Sequence, residues 1–154
     1  MAKTSNVKRR TKKLVLFGTG DIGRLAHHYF STDSTYKVVA FTVDRAYATE
    51  RTFNGLPLVP FDEVVKKFSP KSHLMFVALS YAQMNTLRAA RYADAKKLGY
   101  TLASYVSSRC TYLSEHSPGD NCFILEDNTV QPFVRIGNDV TLWSGNHIGH
   151  DSTI

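Results

Sequence analysis

Apolar and polar positions follow two different rhythms along this chain, and the change between them falls near Ser107. In the first part, short unbroken apolar runs alternate with stretches of helical periodicity. Leu14 to Phe17, Lys37 to Val43 and His73 to Leu79 read as buried parallel strands, since both faces of such strands are covered. Between the first two, Ile22, Leu25, Ala26 and Tyr29 fall at i, i+3, i+4 and i+7 and predict a helix with Asp21 as its N-cap. Thr52 to Pro60, with Asn54-Gly55 and two prolines, predicts a turn and an irregular or edge strand before a short capped helix over Asp62 to Phe68. Ala82 to Leu98, with Met84, Leu87, Ala90 and Ala93 near helical spacing, predicts a helix stopped by Gly99, and Tyr100 to Val106 a closing strand. The expectation for residues 14–106 is a small alternating α/β domain on a parallel sheet, Rossmann-like in kind.

After Ser107 the helical period is gone. From Ile124 a branched aliphatic recurs at every sixth position: Ile124, Val130, Ile136, Leu142, Ile148 and Ile154. The fifth position of each hexad holds Asn128, Val134, Val140, Asn146 or Ser152, and Gly137 and Gly149 occupy second positions. Hairpin strands require alternation and turn residues; a fixed period of six predicts instead the left-handed parallel β-helix of hexapeptide repeats, in which three hexads close one triangular coil. Residues eighteen apart then stack, placing Asn128 under Asn146 as a hydrogen-bonding ladder. Residues 107–154 are expected to form the start of such a helix, with Trp143 packing on one of its faces.

Charge changes the picture less than its total suggests. The net +6 is contributed by Lys3, Lys8, Arg9, Arg10, Lys12 and Lys13, which leaves 13 basic against 13 acidic residues after Leu14. Residues 1–13 read as a basic disordered tail, and the neutral remainder predicts no nucleic-acid partner. With 43% hydrophobic residues the chain can bury a core, and its apolar runs are too short to cross a bilayer. No membrane partner is expected, and without an export signal the expected compartment is the cytoplasm. Cys110 and Cys122 lack metal-ligand spacing and read as reduced thiols, so no metal is expected.

Gly18-Thr19-Gly20-Asp21-Ile22-Gly23 fits G-x-G-x-x-G between a predicted strand and a predicted helix, where glycines let the backbone approach a phosphate at a helix N-terminus. Asp44 follows at the end of the second strand, where a carboxylate accepts from a ribose or a base. That combination fits NAD, yet the remainder is repeat and offers no domain for hydride transfer. The glycine loop, Asp44-Arg45 and Ser80-Tyr81 all emerge at the carboxyl edge of the predicted sheet, where a nucleotide-sugar fits equally well. Asp44 and Arg45 read alternatively as a solvated pair, and Ser80-Tyr81 as a helix cap with an aromatic contact.

The GTGDIG-bearing α/β domain followed by the run LWSGNHIGHDSTI resembles the sugar acyltransferases grouped with sialic acid O-acetyltransferase, nearest in layout to the nucleotide-sugar N-acetyltransferases of 4-amino-4,6-dideoxy sugars. The resemblance spans Lys13 to Ile154. It implies an acetyl-CoA-dependent acetyltransferase of surface-polysaccharide synthesis, working as a homotrimer on a nucleotide-linked sugar. It assigns the glycine loop to the pyrophosphate, Asp44 and Arg45 to the base or ribose, and Ser80-Tyr81 to the sugar-phosphate end. Family members continue through further hexads, so a chain stopping at Ile154 is expected to be truncated within its repeats, and a non-catalytic nucleotide-sugar module is the alternative.

Acetyl transfer needs a base, and histidine, ordinarily titrating near 6.5, suits it. His27, His28, His73 and His116 sit in positions that read as structural or solvated. The family pattern of histidine before an acidic residue matches His150-Asp151, which the resemblance makes the general base, ahead of His147. Asp151 can orient the imidazole only on a corner, because neighbours in a strand point to opposite faces.

Overall fold

A computed structural model describes residues 11–154; the basic residues of 1–10 lie outside the described residues. The first strand, β1 (Lys12–Phe17), begins two residues before Leu14, so Lys12 and Lys13 belong to the sheet and not to the expected tail. It is followed by α1 (Asp21–Thr32), β2 (Tyr36–Val43), a hairpin of β3 (Thr52–Phe53) and β4 (Leu56–Pro60), α2 (Val64–Lys67), β5 (His73–Val77) and α3 (Thr86–Lys97). The sheet order is β3-β4-β2-β1-β5. All pairs are parallel except β3 with β4, which turn back through Asn54 and Gly55, both at positive φ as a two-residue hairpin requires. The expected irregular segment is therefore a strand of the main sheet with a short antiparallel edge.

Alternation along the strands divides two cores. Leu14, Leu16 and Phe76 face the side that holds Ala26 and Phe30 of α1, whereas Val15, Phe17 and Met75 face Val64 and Ala95. A bulge shifts the register from Leu14↔Val38 to Val15↔Ala40, which puts Val39 and Ala40 on the same side.

Three predicted boundaries are corrected. Gly20, with no side chain, is the N-cap of α1, and Asp21 is its first residue. The helix over Asp62 to Phe68 is a 3-10 turn, Phe61–Glu63, leading into α2, and neither has a side-chain cap. Helix α3 starts at Thr86 because Gln83, Met84 and Asn85 take φ of 52, 52 and 66°. The expected apolar face is wrong as well: Met84, Leu87 and Ala90 are exposed, while Arg88, Arg91, Tyr92 and Ala95 turn inward. Alanine-rich spacing is compatible with either face, and polar anchors decided which one turned in.

The strand expected over Tyr100 to Val106 is divided. Leu102 bridges Met75 beside the main sheet, but β6 (Tyr105–Val106) is already a rung of the next structure. Its successors are β7 (Thr111–Tyr112), β8 (Phe123–Ile124), β9 (Thr129–Val130), β10 (Thr141–Leu142) and β11 (His147–Ile148). They form two parallel ladders, β10-β8-β6 and β11-β9-β7, and Arg135 bridges Thr153 on a third side. Every pair joins residues eighteen apart, such as Tyr105 with Phe123 and His147 with Thr129. Ile124, Val130, Ile136 and Leu142 are buried inside this coil with Cys122 and Val134; Ile148 is partly buried and Ile154 exposed.

The coil turns its corners through a second period of six. Asn121, Asp127, Phe133, Asp139, Gly145 and Asp151 all have positive φ. Asn, Asp and Gly are the residues that enter this left-handed region most readily, so each corner carries its own sequence signal, with Phe133 the exception. Asn128, fully buried, accepts from the backbone N–H and side-chain amide of Asn146 at 3.0 Å each, which is the expected ladder. The coil is joined to the sheet without a gap: Tyr105, Phe123 and Leu125 complete the core beneath α1.

Candidate functional site

The glycine loop joins β1 to α1 at the carboxyl edge of the sheet, and its three glycines do different things. Gly18 has φ +118°, donates to the Thr42 carbonyl at 2.9 Å, and leaves no space for a Cβ against the Ala78 carbonyl. Gly23 packs its Cα on the carbonyl of Gly18, where any side chain would collide. Both are needed by the fold itself. Gly20 is not: a Cβ there would meet nothing within 4 Å, and its φ of −77° is open to any residue. As the N-cap it immediately precedes the unpaired N–H groups that begin α1. Asp21 is fully exposed, reaching Arg24 at 3.9 Å.

Asp44 and Arg45 follow β2 on the same edge. They are neither free nor paired with each other. Asp44 accepts from Nε and Nη2 of Arg91 at 3.1 and 2.8 Å, which ties α3 to the end of β2. Arg45 is exposed and donates to Asp62 and Glu63, each at 2.7 Å. Hydrogen bonds from Arg45 hold both carboxyls below their ordinary range.

Ser80 and Tyr81 follow β5, and Tyr81 is 75% exposed. Ser80 caps no helix, because the N-cap of α3 is Asn85. Together with Ile22 and Leu79 they form one wall of a cleft of about 200 Å³. The coil lines the same cleft through Thr141 and Trp143, and α3 with its N-cap through Arg88 and Asn85.

A polar lock sets that cleft. Asn121, buried at its coil corner, accepts from Val77 N–H at 2.7 Å and donates to Asp139 at 2.8 Å, so a side-chain amide takes the place of the next strand on the β5 edge. Arg88 packs its guanidinium 3.2 Å from Asp139 and donates to Thr141 Oγ1 and the Asp139 carbonyl at 3.1 and 3.0 Å. Tyr92 adds a bond to Asp120 at 2.6 Å. On the other side of the seam, Asp33 accepts from Tyr105 and from the Ser108 N–H, which draws its carboxyl down to about 2. Each of these bonds joins residues at least 18 apart in sequence.

His150 and Asp151 lie at the last coil corner. Asp151 has φ +60°, which turns its carboxylate back so that it meets His150 Nδ1 at 2.7 Å. A carboxylate accepts only, so Nδ1 carries the proton and Nε2 is left as the acceptor of a neutral ring. The His150 N–H donates to Gln131 at 2.9 Å, which fixes the corner to the coil below; nothing in the sequence pattern singled out Gln131. Both side chains are exposed. His147 is exposed on β11, His27 lies 3.5 Å from Asn54, and His73 and His116 are held by Ser69 and Glu115. Among the described residues no group of histidines, cysteines and carboxylates is arranged to hold a metal, Cys110 and Cys122 are free thiols, and no helix is long and apolar enough to cross a membrane.

No family model matches the chain, and no curated protein matches it. Solved structures do resemble it. The acetyltransferase domain of PglB from Neisseria gonorrhoeae superposes with a TM-score of 0.75 at 22% identity, over 93% of this chain and 67% of that one. The same domain has been solved with acetyl coenzyme A. PerB from Caulobacter crescentus, in complex with CoA and GDP-perosamine, gives 0.74 at 17% identity over 92% of this chain and 64% of that one. WeeI from Acinetobacter baumannii gives 0.72 at 18%, over 92% and 65%. The chain thus spans about two thirds of these proteins and shares their mixed α/β fold with parallel sheets.

Proposed function

We propose that this chain is a nucleotide-sugar acetyltransferase, with a Rossmann-like α/β unit that binds the sugar nucleotide and a left-handed β-helix that carries out acetyl transfer from acetyl-CoA. The observation that carries the reading is the His150-Asp151 pair at 2.7 Å on a coil corner, in a fold shared with acetyltransferases solved with acetyl-CoA or with CoA and GDP-perosamine.

In this reading the N–H groups at the start of α1, beside Gly20, hold the diphosphate. Asp44 and Arg45 lie toward the ribose and base, and Ser80 and Tyr81 toward the sugar. Nε2 of His150 takes the proton from the attacking amine or hydroxyl, and Asp151 holds the tautomer and stabilises the imidazolium that forms. Backbone N–H groups of the coil steady the oxyanion. The exposure of His150 fits a base completed by a second copy in a homotrimer, and Leu113 and Phe133, more than half exposed on the outside of the coil, fit the same assembly.

The test is thiol release from acetyl-CoA with GDP- and UDP-linked 4-amino sugars as acceptors. His150→Ala is expected to lower kcat by roughly 10²–10⁴-fold while the nucleotide-sugar still binds. Unchanged turnover removes His150 from the mechanism. Thermal stabilisation by the nucleotide-sugar with no acetyl transfer by the wild type supports the non-catalytic module instead.

A further inference from the structure

The cleft at the seam contains a residue that the catalytic reading does not use. Trp143 is the chain's single tryptophan, and it stands 45% exposed on the coil, with its backbone carbonyl held by Asn128 at 2.9 Å. A large aromatic surface left open beside a cleft, on a backbone fixed from below, is suited to binding. We infer that Trp143 and Tyr81, which line the same cleft from the coil and from the end of β5, recognise the sugar, so that the pyranose ring of the nucleotide-sugar lies between the α/β unit and the coil of one and the same chain. This inference rests on the nucleotide-sugar reading above.

Three observations choose the occupant. The first is charge. Arg88 is the one ionised side chain in the lining; its charge is countered by Asp139, 3.2 Å from Nε, and its Nη1 and Nη2 donate to Thr141 and the Asp139 carbonyl, while the buried Nε makes no hydrogen bond. With that charge countered inside the protein, the cleft suits a neutral group better than a phosphate. The second is position. Ile22, in the first turn of α1, forms part of the wall, so a diphosphate on the N–H groups beside Gly20 directs whatever it carries into this cleft. The third is size. About 200 Å³ lies below the roughly 300–1,000 Å³ typical of sites for drug-sized ligands, which suits one ring and not a nucleoside. The apolar C–H face of a pyranose matches an aromatic wall, while Ser80, Asn85 and Thr141 supply the hydroxyl partners.

Because Trp143 has no other tryptophan to obscure it, its emission reports the cleft directly. Full-length protein is titrated with UDP, GDP and the corresponding nucleotide-sugars, and with acetyl-CoA alone, following both fluorescence and thermal stability. Nucleotide diphosphates are expected to raise Tm and leave the emission unchanged, whereas a nucleotide-sugar raises Tm and shifts or quenches it. Trp143→Ala should weaken nucleotide-sugar binding about tenfold with diphosphate binding unaltered, and Trp143→Phe should restore most of the loss. A nucleotide-sugar that stabilises the protein without changing emission overturns the inference but leaves the function standing. A change equally large with diphosphate alone, or with acetyl-CoA alone, assigns the cleft to another part of the reaction and also overturns it. No thermal shift with any nucleotide overturns the functional reading, and this inference with it.

Discussion

Gly20→Ser separates what the fold needs from what a ligand needs, because the two should move in opposite directions. The position is an N-cap in extended backbone, at φ −77° and ψ −167°, with no side-chain cap and nothing within 4 Å of a Cβ. Serine at an N-cap accepts from the N2 or N3 N–H and gains a few tenths of a kcal/mol over glycine. Removing a glycine also reduces the freedom of the unfolded chain, worth about 0.4–1 kcal/mol where the native φ and ψ are allowed. Together these give about 1 kcal/mol of added stability, or roughly 2–4 °C in Tm for a chain of this size. The same hydroxyl occupies the N–H groups proposed for the diphosphate and fills the space over them, so UDP or GDP affinity should fall at least about tenfold, equal to about 1.4 kcal/mol. Gly18→Ala and Gly23→Ala serve as controls, since each forces a Cβ into backbone and is expected to destabilise by about 2–3 kcal/mol. Chemical unfolding and calorimetric nucleotide titration read the two effects. A Gly20→Ser protein that is more stable and binds nucleotide as well as wild type refutes the phosphate site; one that is less stable refutes the account of the cap.

Asp33, held at about 2 against an ordinary 3.8, contributes stability that is complete above pH 4 and lost as pH falls toward 2. The shift corresponds to about 2 kcal/mol, so the difference in unfolding free energy between wild type and Asp33→Asn should shrink by that amount between pH 5 and pH 2; a constant difference refutes it. Phe133→Asn replaces an exposed aromatic at φ +68° with a residue that tolerates that conformation, and should gain about 1 kcal/mol in the isolated chain. If Phe133 is buried between copies, the same change lowers the oligomeric mass seen by light scattering, and an unaltered mass places the interface elsewhere.

The coil was legible because its physics is local and repeated. Every sixth side chain must fill the interior, and Ile124 through Leu142 do so. The positive-φ corners repeat at the same interval, and Asp127, Asp139, Gly145 and Asp151 are the residue types such corners select. The upstream rungs were harder to see. Tyr105-Val106 and Thr111-Tyr112 stack on Phe123-Ile124 and Thr129-Val130, and Val106 keeps the six-residue register, but Tyr112 and Pro118 at the next two positions break the branched-aliphatic pattern. Tyr105 also serves two structures, packing beneath α1 while pairing with the coil, and so reads as the last strand of the sheet. The inner strands of the sheet were legible for the complementary reason: runs buried on both faces can be little else at that length.

The cleft was illegible because nothing within one segment specifies it. Ser80-Tyr81 was visible as an edge turn, and Trp143 as an aromatic in a repeat, but their meeting depends on Asn121 reaching Val77 and Arg88 reaching Asp139. Those contacts also explain the misread face of α3. A helix whose inward side is Arg88, Arg91 and Tyr92 has no apolar period to detect; it is anchored by Asp139, Asp44 and Asp120, residues contributed by the coil and by the end of β2. Breaking a half-buried pair of this kind leaves an unmatched charge, which costs more than the pair contributes when made, so the arrangement fixes geometry more strongly than it adds stability. A helix fastened to both the nucleotide edge and the coil in this way holds the glycine loop, Ser80-Tyr81 and Trp143 in one frame, and a substrate bound across the seam meets walls already in place.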